Sequence, residues 1–454
     1  MTKPDITLPD TRAFVLRNAR VPSVFLTDGV TAGATRDADG SPLLDIVVED
    51  GRFTGLRPAG QGPSELPAFD LAGRQAWPRL VDVHAHLDKG HTVARTANPD
   101  GDFLGARAAT TEDRLRYWDG EDIRRRLAFS LACAEAHGVG AIRTHLDSHE
   151  ETAQRDQAAT SWAVFREMRD AWAGRVTLQG VGLVAIEAYG DDYGRRLADI
   201  VAESGGLLGG GLRPTAILQG SALSEMNDLL DRLFGLARER DLDVDLHVDE
   251  IDDPVAASLD VIARATVRNG YEGRVTCGHC CSLALQPADQ AAATIARVAK
   301  AGISIVTLPT VNMYLQDRQW ERTPRWRGVA PVKELAAAGV PFAIAGDNCR
   351  DGFYAYGDHD MLDTFRAGVR ILHLDHPLQQ APSHVGPIPA AIMGLEHTGQ
   401  IREGGSADLI LLPARSLNEV VARPHADRIV LRAGRRITTK VPRYEELTGE
   451  MSPW

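Results

Sequence analysis

The sequence predicts an α/β protein in which a (β/α)8 barrel of the TIM type is combined with a small β-sandwich domain. Three observations support this fold class. Eight apolar strand candidates alternate with helical patterns along the middle of the chain, polar residues follow several of these strands, and both chain ends contain short apolar runs separated by glycine and proline. Repeated strand-helix units over about 300 residues are typical of a barrel.

The two ends of the chain are predicted to build the small β domain together. Residues 1–78 include LLDIVVEDGRFTGL, and residues 386–454 include ADLILLPA and DRIVLRAGRRI, where branched residues are bounded by turn signals. Residues 79–385 are assigned to the barrel. A doubly wound open sheet is the alternative for this middle part, but no glycine-rich phosphate loop follows any strand.

Each barrel strand is an apolar segment bounded by turn or helix signals. The eight predicted strands cover residues 80–86, 140–147, 175–187, 212–218, 242–250, 273–279, 303–309 and 340–347. Helical periodicity separates most of them. Residues 121–138 place an apolar stripe on one face and stop at a glycine, and residues 253–270 are predicted to form a helix that begins at Asp253 as N-cap.

Composition excludes several classes of function. The net charge of −12 argues against nucleic-acid binding, and no apolar run has the length of about 20 residues that a membrane span needs. The N-terminal segment lacks the basic start and apolar core of a secretory signal, so a cytoplasmic protein with reduced cysteines is expected. A small neutral or cationic molecule suits the acidic chain better as a partner.

Polar side chains at the ends of four predicted strands form a candidate metal site. His84 and His86 end the first strand, His247 ends the fifth, His279 ends the sixth and Asp347 ends the eighth. The carboxyl ends of barrel strands meet at one face, and residues i and i+2 of a strand point the same way. One histidine alone is commonly a core residue, but this joint pattern favours a zinc or ferrous iron site.

Several motifs resemble a known family. HAHLD (84–88), HVDE (247–250), GH (278–279) and GDN (346–348) resemble the amidohydrolase superfamily, and the segments 308–318, 323–329 and 347–357 resemble its cytosine deaminase branch. The resemblance covers nearly the whole chain. It implies metal ligands and catalytic groups at matching positions: His84, His86, His247 and Asp347 as ligands, Glu250 as proton shuttle, His279 orienting the attacking water, and Asp347 also accepting a proton.

The lysines limit the number of metal ions. Many members of this superfamily bridge two ions with a carbamylated lysine at the end of the fourth strand. The chain has lysine only at positions 3, 89, 300, 333 and 440, and none lies near residues 211–218. One divalent ion per chain is therefore expected. Glu187 could in principle bridge two ions instead, but this is the weaker expectation.

Three departures from the branch concern the substrate. Glu187 or Ala188 stands where the deaminases place a glutamine that reads the pyrimidine edge, Asn348 replaces an aspartate, and Phe353 replaces a tryptophan that covers the substrate. An ionised carboxylate accepts hydrogen bonds but donates none, so Glu187 would favour a donor-rich ring edge. These three positions are predicted to bind substrate, and the departures argue against cytosine itself.

The resemblance thus implies a cytoplasmic hydrolytic deaminase that releases ammonia from a small amino-substituted, pyrimidine-like nitrogen heterocycle. It also implies a homo-oligomer, which nothing in the sequence fixes. Hydrolysis of a cyclic amide or of an N-alkylamino-heterocycle by the same metal-activated water is the first alternative. A barrel that serves only as a non-catalytic scaffold is the second, and the complete ligand set argues against it.

Overall fold

The computed structural model describes residues 11–27, 32–152, 155–213 and 217–448. The chain forms two compact units. The first comprises Met1–Val81, Ala134–Gly140 and Met361–Val441, and the second comprises Asp82–Cys133, Ala141–Asp360 and Pro442–Trp454. The sequence-based domain limits at residues 78 and 385 stay a prediction. None of the helices in the described ranges combines the length and apolar character needed to cross a bilayer.

The strands of the described residues, in chain order, are β1 (Ala13–Arg20), β2 (Leu43–Glu49), β3 (Arg52–Pro58), β4 (Ala68–Asp70), β5 (Gln75–Pro78), β6 (Leu80–Ala85), β7 (Val139–Asp147), β8 (Glu150–Thr152), β9 (Arg155–Asp156), β10 (Thr177–Leu183), β11 (Leu207–Leu212), β12 (Val244–Val248), β13 (Val275–His279), β14 (Ser304–Thr307), β15 (Phe342–Ile344), β16 (Leu409–Leu412), β17 (Ile429–Arg432) and β18 (Arg435–Arg436).

The α-helices of the same residues are α1 (Phe103–Tyr117), α2 (Gly120–His137), α3 (Gln157–Ala171), α4 (Asp192–Glu203), α5 (Gly220–Glu239), α6 (Ser258–Arg268), α7 (Ala288–Lys300), α8 (Pro309–Leu315), α9 (Val332–Ala337), α10 (Met361–Leu372), α11 (Pro387–Ile392), α12 (Leu417–Ala422) and α13 (Glu445–Thr448). Short 3-10 helices cover Ser23–Phe25, Ile186–Gly190, Cys281–Leu285 and Leu378–Val385.

The first unit contains a sheet built from both chain ends, as the sequence predicts. Its strands follow the order β18-β17-β16-β5-β1-β2-β3, and β4 pairs with β1. Most neighbours are antiparallel, whereas β4 and β5 run parallel to β1. The fully buried Trp77 of β5 packs edge-on between the rings of Phe25 and Phe365, with ring centroids 5.1 and 5.3 Å away. The aromatic core of this unit therefore combines rings from the N-terminal part of the chain with one from α10.

The second unit is built on eight strands in the barrel order β15-β14-β13-β12-β11-β10-β7-β6, with helices between most neighbours. The pairs from β7 to β15 are parallel, and every residue of β6 and β13 is buried. Strands covered on both faces carry few polar residues along their length, so the polar groups that remain stand out. The predicted barrel is confirmed.

The first and last barrel strands meet at two of the predicted metal ligands. The backbone N–H of Asp347 donates to the carbonyl oxygen of His84 at 2.7 Å, and Ala85 and Asp347 form a parallel bridge. Asp347 adopts a left-handed backbone with φ of +65°, which directs its side chain at the point where the strand ends. We call this joint the barrel closure. It fixes both ligand-bearing segments by a backbone contact.

The fourth barrel strand lies earlier in the chain than predicted. The sequence favours residues 212–218, of which 214–216 fall outside the described residues, but the strand observed is β11, LLGGGL. Glycine is normally rare in strands, which hid this segment. Its glycines are required by packing, because a Cβ on Gly209 would lie 2.5 Å from Cγ1 of Val181.

The helix after β12 also begins later than predicted. It begins at Ser258 rather than at Asp253, whose carboxylate accepts the N–H of Val255 in a turn before the helix. The carboxylate of Asp249 accepts the N–H groups of Ser258 and Leu259 at 3.1 Å each. An acid from the preceding strand end thus satisfies the helix N-terminus, which a local search for a cap cannot find.

A buried ion pair crosses the barrel beneath the histidines. Arg143 of β7 donates to Asp245 of β12 at 2.8 Å, and their side chains are 2% and 0% exposed. The strands are not neighbours, so the pair spans the interior. His145 and His247 lie two residues further along the same strands and therefore point the same way. The ion pair forms the layer on which the two histidines rest.

Replacing Arg143 by Met is expected to lower the free energy of unfolding by ~3–5 kcal/mol, because the charge of Asp245 is left buried without its partner. Denaturant unfolding at pH 8 tests this, above the pKa of about 6 to which burial raises Asp245. Arg274→Met is the control, since its pair with Asp243 is exposed and contributes at most about 1 kcal/mol. Equal losses in both variants would contradict a special role for the buried pair.

Candidate active site

Four candidate ligand atoms converge at the carboxyl ends of the barrel strands. Nε2 of His247 lies 3.2 Å from Nε2 of His84 and 3.2 Å from Nε2 of His86. Oδ1 of Asp347 lies 3.2 Å from Nε2 of His86 and 3.6 Å from Nε2 of His84. The four ligands predicted from the sequence are therefore brought together from β6, β12 and the segment after β15.

These spacings fit a divalent ion. Ligands about 2.1 Å from a tetrahedral ion are separated by roughly 3.4 Å, close to the observed contacts. Within the described residues, neither carboxylate oxygen of Asp347 has a hydrogen-bond partner, although the side chain is buried. Burial lowers the pKa of His84, His86 and His247, so the imidazoles stay neutral and can act as ligands. Orphaned acceptors at this spacing are what a metal site requires.

His145 extends this cluster. Its ring centroid lies 3.9 Å from that of His84 and 4.7 Å from that of His247, and its side chain is fully buried. One nitrogen each of His84, His145 and His247 lie within 4.8 Å of one another. The tilted packing of its ring against His84 suits a residue that holds the orientation of that imidazole.

Glu250 faces the cluster and its neighbour Asp249 does not. Glu250 lies 3.6 Å from Nδ1 of His279, and one oxygen each of Glu250 and Asp347 lie with a nitrogen of His279 within 4.8 Å of one another. Burial raises the pKa of Glu250 to about 7. Asp249 is used at the N-terminus of α6. The two adjacent acids therefore have separate environments, one facing the site and one supporting a helix.

Asn312, on α8, holds both groups and was missed as a site residue from the sequence. Its Nδ2 lies 2.9 Å from Nδ1 of His279 and 3.4 Å from Oε1 of Glu250. An amide N–H donating to Nδ1 leaves the proton of neutral His279 on Nε2, which has no partner among the described residues. Burial lowers the pKa of His279. The arrangement presents an N–H donor to the site.

Lys89 is held by an ion pair at the edge of the site. Its Nζ lies 3.1 Å from Asp147, which Arg114 contacts at 3.2 Å, and Asp88 accepts the backbone N–H of Asp147. All four side chains are buried. These contacts fasten the segment after β6 to the end of β7. They also occupy the one lysine near the cluster among the described residues.

The three residues predicted to bind substrate occupy different environments. Glu187 is exposed in the short 3-10 helix after β10, while Ile186 beside it is buried. The amide of Asn348 donates to Asp351 at 2.7 Å, so it supports the loop after β15. Phe353 is partly buried, with Nζ of Lys89 5.0 Å from its ring centroid. Of the three, Phe353 is placed against a group near the site.

Arg213, immediately after β11, is a second group that sequence analysis missed. Its guanidinium lies 3.4 Å from the ring centroid of Phe103, and that ring packs edge-on against Phe353 at 5.3 Å. Its Nε donates to the carbonyl oxygen of Glu250 at 2.9 Å. Arg213 lies at the end of the fourth barrel strand. Because the sequence predicts that strand too late in the chain, Arg213 did not stand out as a strand-end residue. We call this group the aromatic wall; it comprises Arg213, Phe103 and Phe353.

Fold and site together define a barrel with a cluster of histidine and carboxylate side chains at the carboxyl ends of its strands. Residues 104–438 match the amidohydrolase family, so the chain belongs to that family, whose members hydrolyse carbon–nitrogen bonds and generally use a divalent metal ion. The family resemblance noted in the sequence, including its deaminase branch, is confirmed.

Relatives span nearly the whole chain. It is 49% identical over 444 residues to a pterin deaminase from Rhizobium rhizogenes, covering 97% of each chain. A 5-methylcytosine deaminase from Klebsiella pneumoniae with bound phosphonocytosine superposes with a TM-score of 0.77 at 25% identity, covering 94% of this chain and 98% of that one. The N-isopropylammelide isopropylaminohydrolase of Burkholderia multivorans gives 0.72 at 27%, with coverage of 94% and 98%.

Proposed function

We propose that the chain is a pterin deaminase, which replaces the exocyclic amino group of a pterin or a closely related bicyclic heterocycle with oxygen. The observation that carries this proposal is the identity of 49% with a pterin deaminase over 97% of both chains. Hydrolytic deamination of a heterocycle is the activity expected from the sequence and is confirmed at that level. A two-ring substrate also agrees with the three positions at which the sequence departs from the substrate-binding residues of the cytosine deaminase branch.

In this proposal His84, His86, His247 and Asp347 hold one divalent ion, zinc or ferrous iron. Such an ion makes a water molecule acidic enough to lose a proton near neutral pH. The absence of lysine from β11 supports a single ion, because no bridging carbamate can form there. The exposed position of Glu187 gives no support to the weaker expectation that it bridges two ions.

Glu250 moves the protons. With a pKa raised to about 7 by burial, it can accept a proton from the attacking water and deliver it to the ring or to the leaving nitrogen. The water oxygen bonds to the ring carbon while Glu250 passes one water proton to the adjacent ring nitrogen, and the carbon–nitrogen bond to the amino group breaks in a second step. The ring carbon keeps four bonds between the two steps. One water proton leaves with the amino group as ammonia, and the other stays on the lactam product.

His279 is placed to stabilise the charge that develops on the oxygen. Asn312 sets its tautomer, so the N–H at Nε2 is available as a donor, and burial keeps the ring neutral. A donor aimed at a developing oxyanion in a site closed to water lowers the barrier more than it strengthens substrate binding. Asn312 therefore acts as a positioning residue for both His279 and Glu250.

The aromatic wall is proposed to bind the ring system. Phe353 and Phe103 offer apolar faces to a ring. Within the described part of the chain, Arg213 makes one hydrogen bond, from its Nε, so its two Nη groups can donate to a substrate. A pterin carries a carbonyl oxygen and ring nitrogens that can accept such bonds. We therefore propose that specificity contacts lie after β11 and β15, while a substrate contact from Glu187 stays a prediction.

Replacing Arg213 by Met is expected to raise KM for the substrate about 10–100-fold, with a smaller fall in kcat, because a charge-assisted hydrogen bond is lost while the reacting groups remain. Steady-state kinetics with the proposed pterin substrate measures both constants. Arg107→Met is a control that removes a nearby charge of the same sign. An unchanged KM for Arg213→Met would remove this residue from the substrate contacts.

The experiment that tests the function is product analysis with zinc-loaded and iron-loaded enzyme on pterin, 5-methylcytosine and N-isopropylammelide. Ammonia release from pterin with the ring intact supports the proposal. Preferred release of isopropylamine would favour N-alkylamino hydrolysis, the activity that the Burkholderia structure's name carries. Preference for 5-methylcytosine would also overturn the assignment to pterins. Cytoplasmic location and a homo-oligomeric state stay predictions that accompany this proposal.

A further inference from the structure

A second group of metal-binding side chains lies outside the catalytic cluster. His91 is in the segment after β6, and Cys349 and His359 are in the segment after β15. One nitrogen of each histidine and the Cys349 sulfur lie within 4.8 Å of one another, and all three residues are buried. We propose that His91, Cys349 and His359 form a second metal site, structural in role, for zinc or a similar borderline divalent ion.

The donor set matches this class of ion. Two imidazoles and one thiolate are ligands that zinc prefers, whereas magnesium and calcium prefer oxygen. Both ring nitrogens of His91 lack hydrogen-bond partners within the described residues, although its side chain is only 9% exposed. A buried imidazole without partners is costly in an apolar environment. A bound ion would give one of the two His91 ring nitrogens a partner.

Two contacts bring further groups close to the sulfur. The backbone N–H of His359 donates to the Cys349 sulfur, so two members of the group are joined directly. Cys133 lies close by, hydrogen-bonded to Asp358, and supplies a further sulfur near the group. Burial also lowers the pKa of His91, which stays neutral as a ligand must.

Aromatic rings pack against one side of the group. The ring of Phe129 lies 4.7 Å from that of His91 and stacks on Tyr444 at 6.0 Å, while the guanidinium of Arg350 lies 4.0 Å from the centroid of Tyr444. This packing holds the His91 ring beside Cys349 and His359, as partners around metal-binding histidines do.

The location gives the site a role. The backbone N–H of His91 donates to the carbonyl oxygen of Cys349 at 3.0 Å, and Val93 donates to Arg350 at 2.8 Å. The segment with His91 follows His84 and His86, and the segment with Cys349 follows Asp347. An ion at this second site would therefore cross-link the two segments that carry three of the four catalytic-site ligands.

The test is cobalt binding to the metal-free full-length enzyme, followed by absorption in the near ultraviolet. The catalytic ligands contain no sulfur, so a thiolate-to-cobalt charge-transfer band reports only a cysteine ligand. We expect wild-type enzyme to bind a second equivalent of cobalt with this band. Cys349→Ser and His91→Gln should lose the band and the second equivalent but retain the first.

Cys281→Ser is the matched control, because this buried thiol lies near Glu250 and Asp347 and could otherwise be the source of a sulfur signal. The band should persist in that variant. Wild-type enzyme that binds a single equivalent without the band would overturn the proposal, whatever the variants do. So would a band that survives in Cys349→Ser, or a Cys133–Cys349 disulfide found by mass spectrometry in place of bound metal.

Discussion

Replacing Glu250 by Gln is expected to reduce kcat by ~10²–10⁴-fold while the metal content stays unchanged. Glutamine has nearly the same shape and can still meet Asn312, but it cannot accept a proton and pass it on. Steady-state ammonia release measures kcat, and elemental analysis measures the metal. Turnover near the wild-type rate would rule out the proposed proton transfer.

Asp249→Asn is the control, because it changes the adjacent acid. Asp249 bonds the first N–H groups of α6 and lies away from the catalytic cluster. Its loss is expected to lower the free energy of unfolding by ~1–3 kcal/mol, since charged acceptors at a helix N-terminus become neutral, with a much smaller effect on kcat. The two variants together separate a catalytic acid from a structural one in the same motif.

Replacing His86 by Ala is expected to weaken metal binding by more than about 100-fold, because removing a ligand should cost more than the roughly 10–100-fold lost when an outer-shell partner is changed. Activity should fall in proportion to the metal lost. Nε2 of His86 lies 3.2 Å from both His247 and Asp347, so its removal opens the cluster on one side. Metal titration by calorimetry and activity at saturating metal are the two measurements.

His397→Asn provides the comparison for this variant. His397 is exposed and has a left-handed backbone with φ of +67°, which asparagine tolerates. Its affinity for metal should equal that of the wild type. Full metal affinity in His86→Ala would show that three groups suffice and that His86 is not a ligand.

The barrel and the cluster of proposed metal ligands were predictable because both follow simple periodic rules. Buried parallel strands read as apolar runs, and polar residues at their carboxyl ends stand out against them. His84 in β6 and His86 just after it were predicted to point the same way from the two-residue repeat of a strand. His247 and Asp347 followed from the same rule, and the structure brings all four together although they come from distant parts of the sequence.

The residues that were missed depend on contacts between distant segments. Arg213 follows a strand whose glycines weaken every local strand signal, because close packing rather than propensity fixes β11. Asn312 gains its role only when α8 lies against the end of β13. Glu187 stays a predicted substrate contact; the turn after β10 leaves it exposed and buries the neighbouring Ile186, a difference that the motif alone does not reveal.

The barrel closure sets the time at which the four proposed ligands can come together during synthesis. His84 leaves the ribosome early, whereas Asp347 follows only after more than half of the chain has been made, and the two residues are joined by a backbone hydrogen bond. Contacts between such distant segments form late because a long loop must first be ordered. A nascent chain that ends before Asp347 carries the histidines without the carboxylate. The complete set of proposed ligands therefore exists only in a chain whose first and last barrel strands have joined.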